Sequence, residues 1–215
     1  MAHIALIGAT GTIGSRILDE ALRRGHTATA IVRDPAKLDR TDAGLTARAG
    51  DVLDAASLPE LLAGHDVVVS AVGGGDGPGH QATIEPAAKA LVEALRAVDG
   101  APRLIVVNGA GSLRAADGSR VWDEPGLPDW LLQIMHAHGD ALDYLRGVSD
   151  VNWTALSPAA TIEPGERTGR YRTGVDDLVS DAEGVSWIST EDYAVALVDE
   201  IEQPAHEGRR FTVAR

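Results

Sequence analysis

The sequence contains no cysteine, which excludes an entire set of chemistries from the start. A chain without thiols forms no disulfide bonds, carries no thiolate nucleophile and offers no cysteine-ligated metal centre. Lysine is also scarce, because Lys37 and Lys89 are the only two in 215 residues. Histidines and carboxylates nowhere recur at the spacing of a metal site, so we expect no metal ion.

Long hydrophobic runs and an excess of positive charge are missing as well. No apolar stretch approaches the roughly 18 residues of a membrane-spanning helix, and the start of the chain shows no secretory leader. Acidic residues number 32 against 19 basic ones, which gives a net charge of −13. Such a surface repels phosphate backbones and anionic lipids. We therefore expect a cytoplasmic protein whose partner is a small molecule, not nucleic acid or a membrane.

What is present is a regular alternation of short apolar runs with helical patterns. The apolar runs predict strands at 3–7, 27–32, 45–51, 66–72, 103–108, 152–158 and 209–214. Amphipathic or capped segments between them predict helices near 13–22, 57–63, 84–95, 129–147 and 189–202. This alternation favours an α/β fold with a doubly wound parallel sheet, covered by helices on both faces. We predict a single domain over 1–215, with substrate-side elements mainly at 109–130 and 159–190.

The stretch IALIGATGTIG, residues 4–14, places three glycines between the first predicted strand and the first predicted helix. Glycines let the backbone approach a diphosphate closely, and the following helix N-terminus supplies free N–H groups and a favourable dipole. A strand, a glycine turn and a helix in this order are typical of the dinucleotide site of a Rossmann fold. A tight turn without a ligand is the alternative. The residues expected to bind the cofactor here are Gly8, Ala9, Thr10, Gly11, Thr12, Ile13 and Gly14.

The end of the second strand discriminates between the two nicotinamide dinucleotides. A carboxylate there accepts from the ribose 2′-OH of NAD, whereas an arginine suits the 2′-phosphate of NADP. The chain reads AIVRDPAKL, with Arg33 at the strand end, Asp34 beside it and Lys37 one turn further on. We expect Arg33 to pair with the phosphate and stack on the adenine, which favours NADP(H) over NAD(H). An exposed arginine without a ligand is the alternative.

Over nearly the whole chain, these motifs resemble the atypical short-chain dehydrogenases, the group of NmrA-like proteins and of biliverdin reductase B and flavin reductase relatives. The resemblance rests on GATGTIG, VRDP, GDV, VVNGAGS, ALDYLR, WTALSPA, PGERTGRYR and EDYAVALVDE. It implies the Rossmann fold, a nicotinamide dinucleotide cofactor and a pocket above the nicotinamide ring. Some members of the group reduce flavins or quinone-like acceptors, and others bind the nucleotide as redox sensors without turnover.

The Tyr-x-x-x-Lys pair of the usual short-chain dehydrogenase is absent. In that pair the lysine lowers the pKa of the tyrosine, so that its hydroxyl can exchange a proton with the substrate. None of the three tyrosines here is followed by a lysine four residues later, because those positions hold Val148, Val175 and Leu197. The commonest alcohol–ketone mechanism of the superfamily therefore lacks its proton donor.

The resemblance also assigns cofactor contacts at two further strand ends. The GDV motif would place the Asp51 carboxylate and the Val52 amide beside the adenine ring, with a plain turn residue as the alternative for Asp51. The SAVGGG stretch follows the strongest predicted strand. It would bring Ala71, Val72 and Gly73 close to the ribose and the diphosphate, because glycine admits the cofactor at short range.

Residues for the chemistry follow the fifth and sixth predicted strands, because ligands of this fold bind at the carboxyl ends of strands. Asn108 borders the expected hydride path, and Pro158 would lie near the nicotinamide amide. Ser112 takes the place of the superfamily's catalytic serine, with a serine that caps its own backbone as the alternative. His138, on the inward face of the helix at 129–147, would supply a proton near neutral pH, with a buried structural histidine as the alternative.

These observations favour an NADPH-dependent reductase that transfers a hydride to a small flavin- or quinone-like acceptor. Such acceptors take up a proton through their own heteroatoms, so the missing dyad is no obstacle. The alternative is a non-catalytic NADP(H)-binding protein that acts as an NmrA-like redox sensor through a partner. An epimerase or dehydratase of sugar nucleotides is a weaker alternative, because the C-terminal region is short and the dyad is missing.

Overall fold

The computed structural model describes the whole chain, residues 1–215, and its strands alternate with helices as the sequence pattern predicts. The strands are β1 (His3–Ile7), β2 (Thr27–Val32), β3 (Leu45–Ala49), β4 (Val67–Ser70), β5 (Arg103–Val107), β6 (Trp153–Ser157), β7 (Thr161–Glu163), β8 (Arg172–Gly174), β9 (Trp187–Ser189) and β10 (Arg209–Ala214). The helices are α1 (Thr12–Arg23), α2 (Leu58–Leu62), α3 (Gly77–Arg96), α4 (Asp129–Arg146) and α5 (Thr190–Glu202).

Eight of the strands form one sheet in the order β3-β2-β1-β4-β5-β6-β10-β8. All neighbours in it are parallel except β8, which runs antiparallel to β10 at the edge. The chain moves outward from β1 to β3 and then returns to β4 on the other side of β1, which confirms the doubly wound arrangement. Strands β1, β4, β5 and β6 end at the same side of the sheet, called here the carboxyl edge.

Alternating side chains along the strands divide the core into two buried layers. On one face Leu6 packs with Ile17 of α1 and Tyr193 of α5. On the other face Val68 packs in a cluster that includes Leu91 of α3. Burial on both faces is what a parallel sheet requires. The sheet is therefore a rigid platform that positions the loops at the carboxyl edge. None of the five helices is both long and apolar enough to cross a membrane.

Helix α3 begins at Gly77, well before the segment near 84–95 in which its apolar period is visible. The segment Gly77–Gly79 contains two glycines and a proline, so the sequence alone favours a loop there. The structure shows that Asp76 caps the helix, because its Oδ1 accepts from the Gly79 amide at 2.7 Å. Proline is compatible with a first helical turn, since the N–H that it lacks has no partner there in any case. The first turn of α3 thereby reaches the carboxyl edge.

The segment 159–189 consists of loops and the short strands β7, β8 and β9. It is fastened to the helices by carboxylates: the Asp192 side chain, fully buried in the first turn of α5, accepts from the Thr168 and Gly169 amides at 2.8 and 2.7 Å. Arg167 donates to both oxygens of the buried Glu20 on α1. The PGERTGRYR and EDYAVAL motifs thus hold this segment against the domain.

Candidate functional site

The glycine loop between β1 and α1 is packed too tightly for side chains at two of its three glycines. Gly8 has a φ of +86°, and a Cβ there would lie 2.6 Å from the carbonyl carbon of Ala71 and closer still to its oxygen. A Cβ on Gly14 would lie 2.8 Å from the carbonyl carbon of Gly8. Gly11 has only one such neighbour, the Gly8 oxygen at 3.3 Å. The loop therefore forms a backbone cradle whose shape depends on Gly8 and Gly14.

The N-terminus of α1 faces this cradle with unpaired amides. Gly11 caps the helix without a side-chain hydrogen bond, and the amides of Thr12, Ile13 and Gly14 donate to no atom of the protein. Thr10, Gly11 and Thr12 are exposed, whereas Ala9 is buried beneath them. Unpaired N–H groups and the helix dipole bind phosphate oxygens. The loop and helix thus fit the diphosphate of a nicotinamide dinucleotide.

The end of β2 presents a free guanidinium. Arg33 is exposed and forms neither an ion pair nor a hydrogen bond with the rest of the chain. Asp34 behaves differently, because its Oδ1 accepts from the Ala36 amide at 3.1 Å and caps the turn Pro35–Lys37. Lys37 is exposed in the same turn. The arginine, and not the neighbouring carboxylate, is the group available to a ligand.

The candidate cofactor-binding residues after β3 and β4 differ in their burial and hydrogen bonding. The Leu53 amide donates to Asp51 Oδ1 at 3.0 Å, so Asp51 is a turn residue, while its other oxygen remains unpaired. Val52 is buried in the layer beside α2. After β4, Ala71 and Val72 are half-buried and Gly73 is exposed. All of them lie at the carboxyl edge, next to the glycine loop that contacts Ala71.

Buried polar atoms without partners collect where β5 and β6 end. Val107 pairs with Leu156, so Asn108 and Ser157 lie side by side on neighbouring strands. Neither side-chain atom of Asn108, which is 4% exposed, has a hydrogen-bond partner, and the hydroxyl of Ser157 has none. Unpaired buried polar groups are costly, and they are retained where a ligand or water satisfies them. Pro158 follows at once and is also buried.

His138 of α4 packs against the residue that follows Asn108. Its ring packs on Gly109, where a Cβ would lie 3.0 Å from the Cβ of the histidine. The residue as a whole is half-buried, but its Nδ1 is shielded from solvent and has no partner. Burial lowers the pKa of His138 to about 4, and electrostatic repulsion from His80 contributes to the decrease. The ring is therefore neutral at neutral pH, which differs from the expectation that it supplies a proton there.

The hydroxyl of Ser112, the candidate catalytic serine, is engaged by a side chain of the protein itself. Ser112 is buried, and its Oγ accepts from Nη1 of Arg210 at 2.7 Å. Arg210, itself 4% exposed, also donates to Asp176. This network joins the loop after β5 to β10 and to the segment after β8. Sequence reasoning missed it, because three distant parts of the chain meet there.

No tyrosine hydroxyl forms a hydrogen bond with a lysine. Tyr193 is fully buried and donates to the Leu156 carbonyl oxygen at 2.7 Å, and burial raises the pKa of its hydroxyl. Tyr171 donates to Asp199, and burial raises the pKa of its hydroxyl as well. Tyr144 lies in the last turns of α4, where Lys89 approaches its ring face at 5.6 Å. None of them reproduces the missing dyad.

The neutral state of His138 predicts a loss of stability in acid. An unfolded chain takes a proton on this histidine near its ordinary pKa of 6.5, whereas the folded ring resists the proton until pH 4. Stability is therefore complete above pH 6.5 and falls as the pH drops towards 4, by about 2 kcal/mol at pH 5. Urea unfolding at pH 7.5 and pH 5 measures this loss.

The free energy of unfolding should differ less between pH 7.5 and pH 5 in His138→Gln than in the wild type, by about that amount. His65 is also buried with a lowered pKa, and its contribution remains in both proteins. His136→Gln is the matched control, since His136 is exposed on the same helix. Equal pH dependence in the wild type and His138→Gln would contradict the assignment of a neutral His138.

A sequence model of the family described as NAD(P)H-binding matches residues 8–204 of the chain. The match begins at the first glycine of the loop and ends just beyond α5. It therefore includes the cradle, the end of β2, the orphaned polar atoms at β5 and β6, and the helix with His138.

Solved bacterial structures are similar to the chain over nearly their whole length. A provisionally named exported protein from Burkholderia pseudomallei is 48% identical, with 100% of both chains covered and a TM-score of 0.89. A provisionally named epimerase from Bacteroides thetaiotaomicron is 39% identical over 99% of this chain and 96% of its own, with a TM-score of 0.89. A provisionally named NADH-flavin reductase from Streptococcus pneumoniae is 31% identical, with 100% of both chains covered and a TM-score of 0.88.

Proposed function

The chain belongs to the NAD(P)H-binding family, and from that premise we propose that it is an NADPH-dependent oxidoreductase acting on a small flavin- or quinone-like acceptor. One observation carries the proposal: the glycine loop at the carboxyl edge fits a diphosphate, while no tyrosine in the sequence is followed by a lysine four residues later. Such a site suits an acceptor whose own heteroatoms stabilise the charge left by a hydride. A similar structure is named for flavin reduction, which supports this acceptor class.

The protein's part in the reaction is to bind and orient the cofactor, which supplies the hydride when bound. The unpaired amides of α1 would hold the diphosphate, and Arg33 would hold the 2′-phosphate of NADP. Asp51, through its unpaired oxygen, would lie beside the adenine with Val52. Ala71, Val72 and Gly73 would border the ribose. This assignment favours NADP(H), whereas the similar flavin reductase is named for NADH.

The nicotinamide half would lie over the ends of β5 and β6. Asn108 offers an amide donor and an acceptor there, and both lack a partner in the chain. Pro158 would face the nicotinamide amide. His138, as a neutral ring, would hydrogen-bond the acceptor and not protonate it. Ser112 would act on the site through the loop that it anchors to Arg210.

The test of this function is turnover. NADPH is mixed with the protein and with riboflavin or a small benzoquinone, and the loss of reduced-nicotinamide absorbance is followed. We expect steady oxidation, and a decrease in kcat of about 10-fold for His138→Gln, the size of one lost hydrogen bond in the transition state. Ser112→Ala should decrease it less, and His136→Gln should leave it unchanged.

A non-catalytic NADP(H) sensor is the second candidate function. It is favoured by the burial of the Ser112 hydroxyl and by the neutral His138, because neither group is arranged as a strong acid. Tight NADPH binding without oxidation of the cofactor across a panel of flavins and quinones would establish it. The same result would eliminate the reductase.

A further inference from the structure

His80 is a second histidine at the carboxyl edge, beside His138. It lies in the first helical turns of α3 and is half-buried. Its ring centroid is 5.8 Å from that of His138 across the α3–α4 contact. His80 also lies close to Gly73, because a Cβ on that glycine would lie 3.5 Å from His80 Nε2. His80 is therefore partly exposed and lies beside both Gly73, which follows β4, and the His138 ring.

The tautomer of His80 follows from one contact. Its Nδ1 lies 2.7 Å from the backbone carbonyl oxygen of Asp76. A carbonyl oxygen only accepts, so Nδ1 must carry a hydrogen and donate it. The lone pair of the neutral ring is then on Nε2, beside Gly73. When the ring is protonated, the added proton is on Nε2 and is the one that can leave.

The surroundings of His80 keep this orientation fixed. Gly74 packs so tightly on the start of α3 that any side chain on it would overlap the backbone of Gly79 and His80. The structure gives His80 no ion pair, and the Asp76 carboxylate is engaged with the Gly79 amide. His138 is the titratable group that faces it from α4. The ring is held by the backbone while its Nε2 stays unpaired.

We propose that His80 is the proton donor of the reaction, acting through Nε2, with the ring of His138 beside it. The inference rests on the proposed function. For a quinone, the hydride carries two electrons and one hydrogen to the acceptor, and one proton must follow to give the hydroquinone. His80 gives up that proton from Nε2, keeps the hydrogen on Nδ1, and regains a proton from water at its exposed side. A flavin needs no such proton, because it leaves as the reduced anion.

The tautomer is tested without any cofactor. Long-range ¹H–¹⁵N spectra of the free protein, at a pH where the histidine rings are neutral, distinguish the two neutral forms of imidazole. We expect His80 in the Nδ1–H form, and His80→Gln assigns its signals by their loss. A neutral His80 with its hydrogen on Nε2 would overturn the proposal, because the lone pair would then face Asp76.

The role is tested by comparing two acceptors. His80→Gln should decrease kcat with benzoquinone by about 100-fold, the lower range for general acid catalysis, and should leave kcat with riboflavin nearly unchanged. Thermal unfolding checks that the variant is folded, and His136→Gln serves as the matched control. Added imidazole should restore part of the quinone rate.

The other outcomes separate the two proposals. Three results would each overturn the role of His80 and leave the reductase proposal intact. They are unchanged quinone reduction by His80→Gln, an equal loss of kcat with both acceptors, and a wild type that reduces flavin but no quinone. A wild type that oxidises NADPH with neither acceptor would overturn the reductase itself, and the role of His80 with it.

Discussion

Gly14→Ala is expected to abolish useful nucleotide binding while the chain still folds. The new Cβ would lie 2.8 Å from the carbonyl carbon of Gly8 and closer to its oxygen, so the glycine loop must move away from α1. Two or more charge-assisted hydrogen bonds to the diphosphate would then be lost, at about 1.5 kcal/mol or more each. We expect the Kd for NADPH to rise about 100-fold or more. Isothermal titration calorimetry measures it.

The control for this change is a glycine with the same substitution far from the loop. Gly147 ends α4 with a φ of −82°, and a Cβ there meets only the Tyr144 oxygen at 3.3 Å. Gly147→Ala should therefore bind NADPH as the wild type does. If Gly14→Ala also bound normally, the diphosphate could not lie against the amides of the first helical turn.

Arg33→Ala is expected to change which dinucleotide the protein prefers. The guanidinium is exposed and unpaired, so its removal costs the chain no internal interaction. A charged hydrogen bond to the 2′-phosphate contributes about 1.5–3 kcal/mol, so the Kd for NADPH should rise roughly 10- to 100-fold. The Kd for NADH should change by less than about threefold, because only stacking on the adenine is lost. Titration with both cofactors gives the ratio.

Arg209→Ala removes the same charge from another exposed site, at the start of β10 and at the opposite end of the sheet. It controls for the general effect of a more negative protein on an anionic ligand. Two results would show that Arg33 does not bind the 2′-phosphate. One is an equal loss of NADPH and NADH affinity in Arg33→Ala, and the other is a loss of NADPH affinity in Arg209→Ala as large as that in Arg33→Ala.

The parts of the fold that could be predicted are those with strong local signals. Strand β4 is a run of apolar residues, and a parallel strand buried on both faces requires such a run. The glycine loop combines a turn, a close backbone approach and a helix start within a few residues. Gly8 indeed has a positive φ and contacts Ala71. Local sequence signals were therefore enough to predict both the doubly wound sheet and the tight glycine turn that follows β1.

The prediction of where α3 begins was wrong, because the helix begins at Gly77 and not near residue 84. The composition of its first turn disfavours a helix, whereas the capping residue favours one. Glycine and proline at 77–79 lower helix propensity, but the Asp76 cap and the packing of Gly74 on Gly79 favour the helix. The capping residue was visible in the sequence and could have extended the helix. With that extension, His80 would have been recognised as a residue at the carboxyl edge.

The hydrogen bond of Ser112 could not be predicted for a different reason. The place of this serine in the loop was inferred from the superfamily, yet its hydroxyl is taken by Arg210, 98 residues later in the chain. Asp176 completes the network from a third segment. A contact between side chains so far apart has no local signature, because it depends on how β10 and the loop after β8 lie beside the sheet.

The amino-acid sequence by itself determined the alternating strands and helices, the glycine cradle, the arginine at β2 and the missing tyrosine–lysine pair, since each depends on a few neighbouring residues. Only the tertiary structure decided the states of the groups inside the site: His138 shielded and neutral, His80 oriented by a carbonyl, Asn108 without a partner. Burial and hydrogen bonding set those states, and both arise from segments distant in sequence that meet at the carboxyl edge.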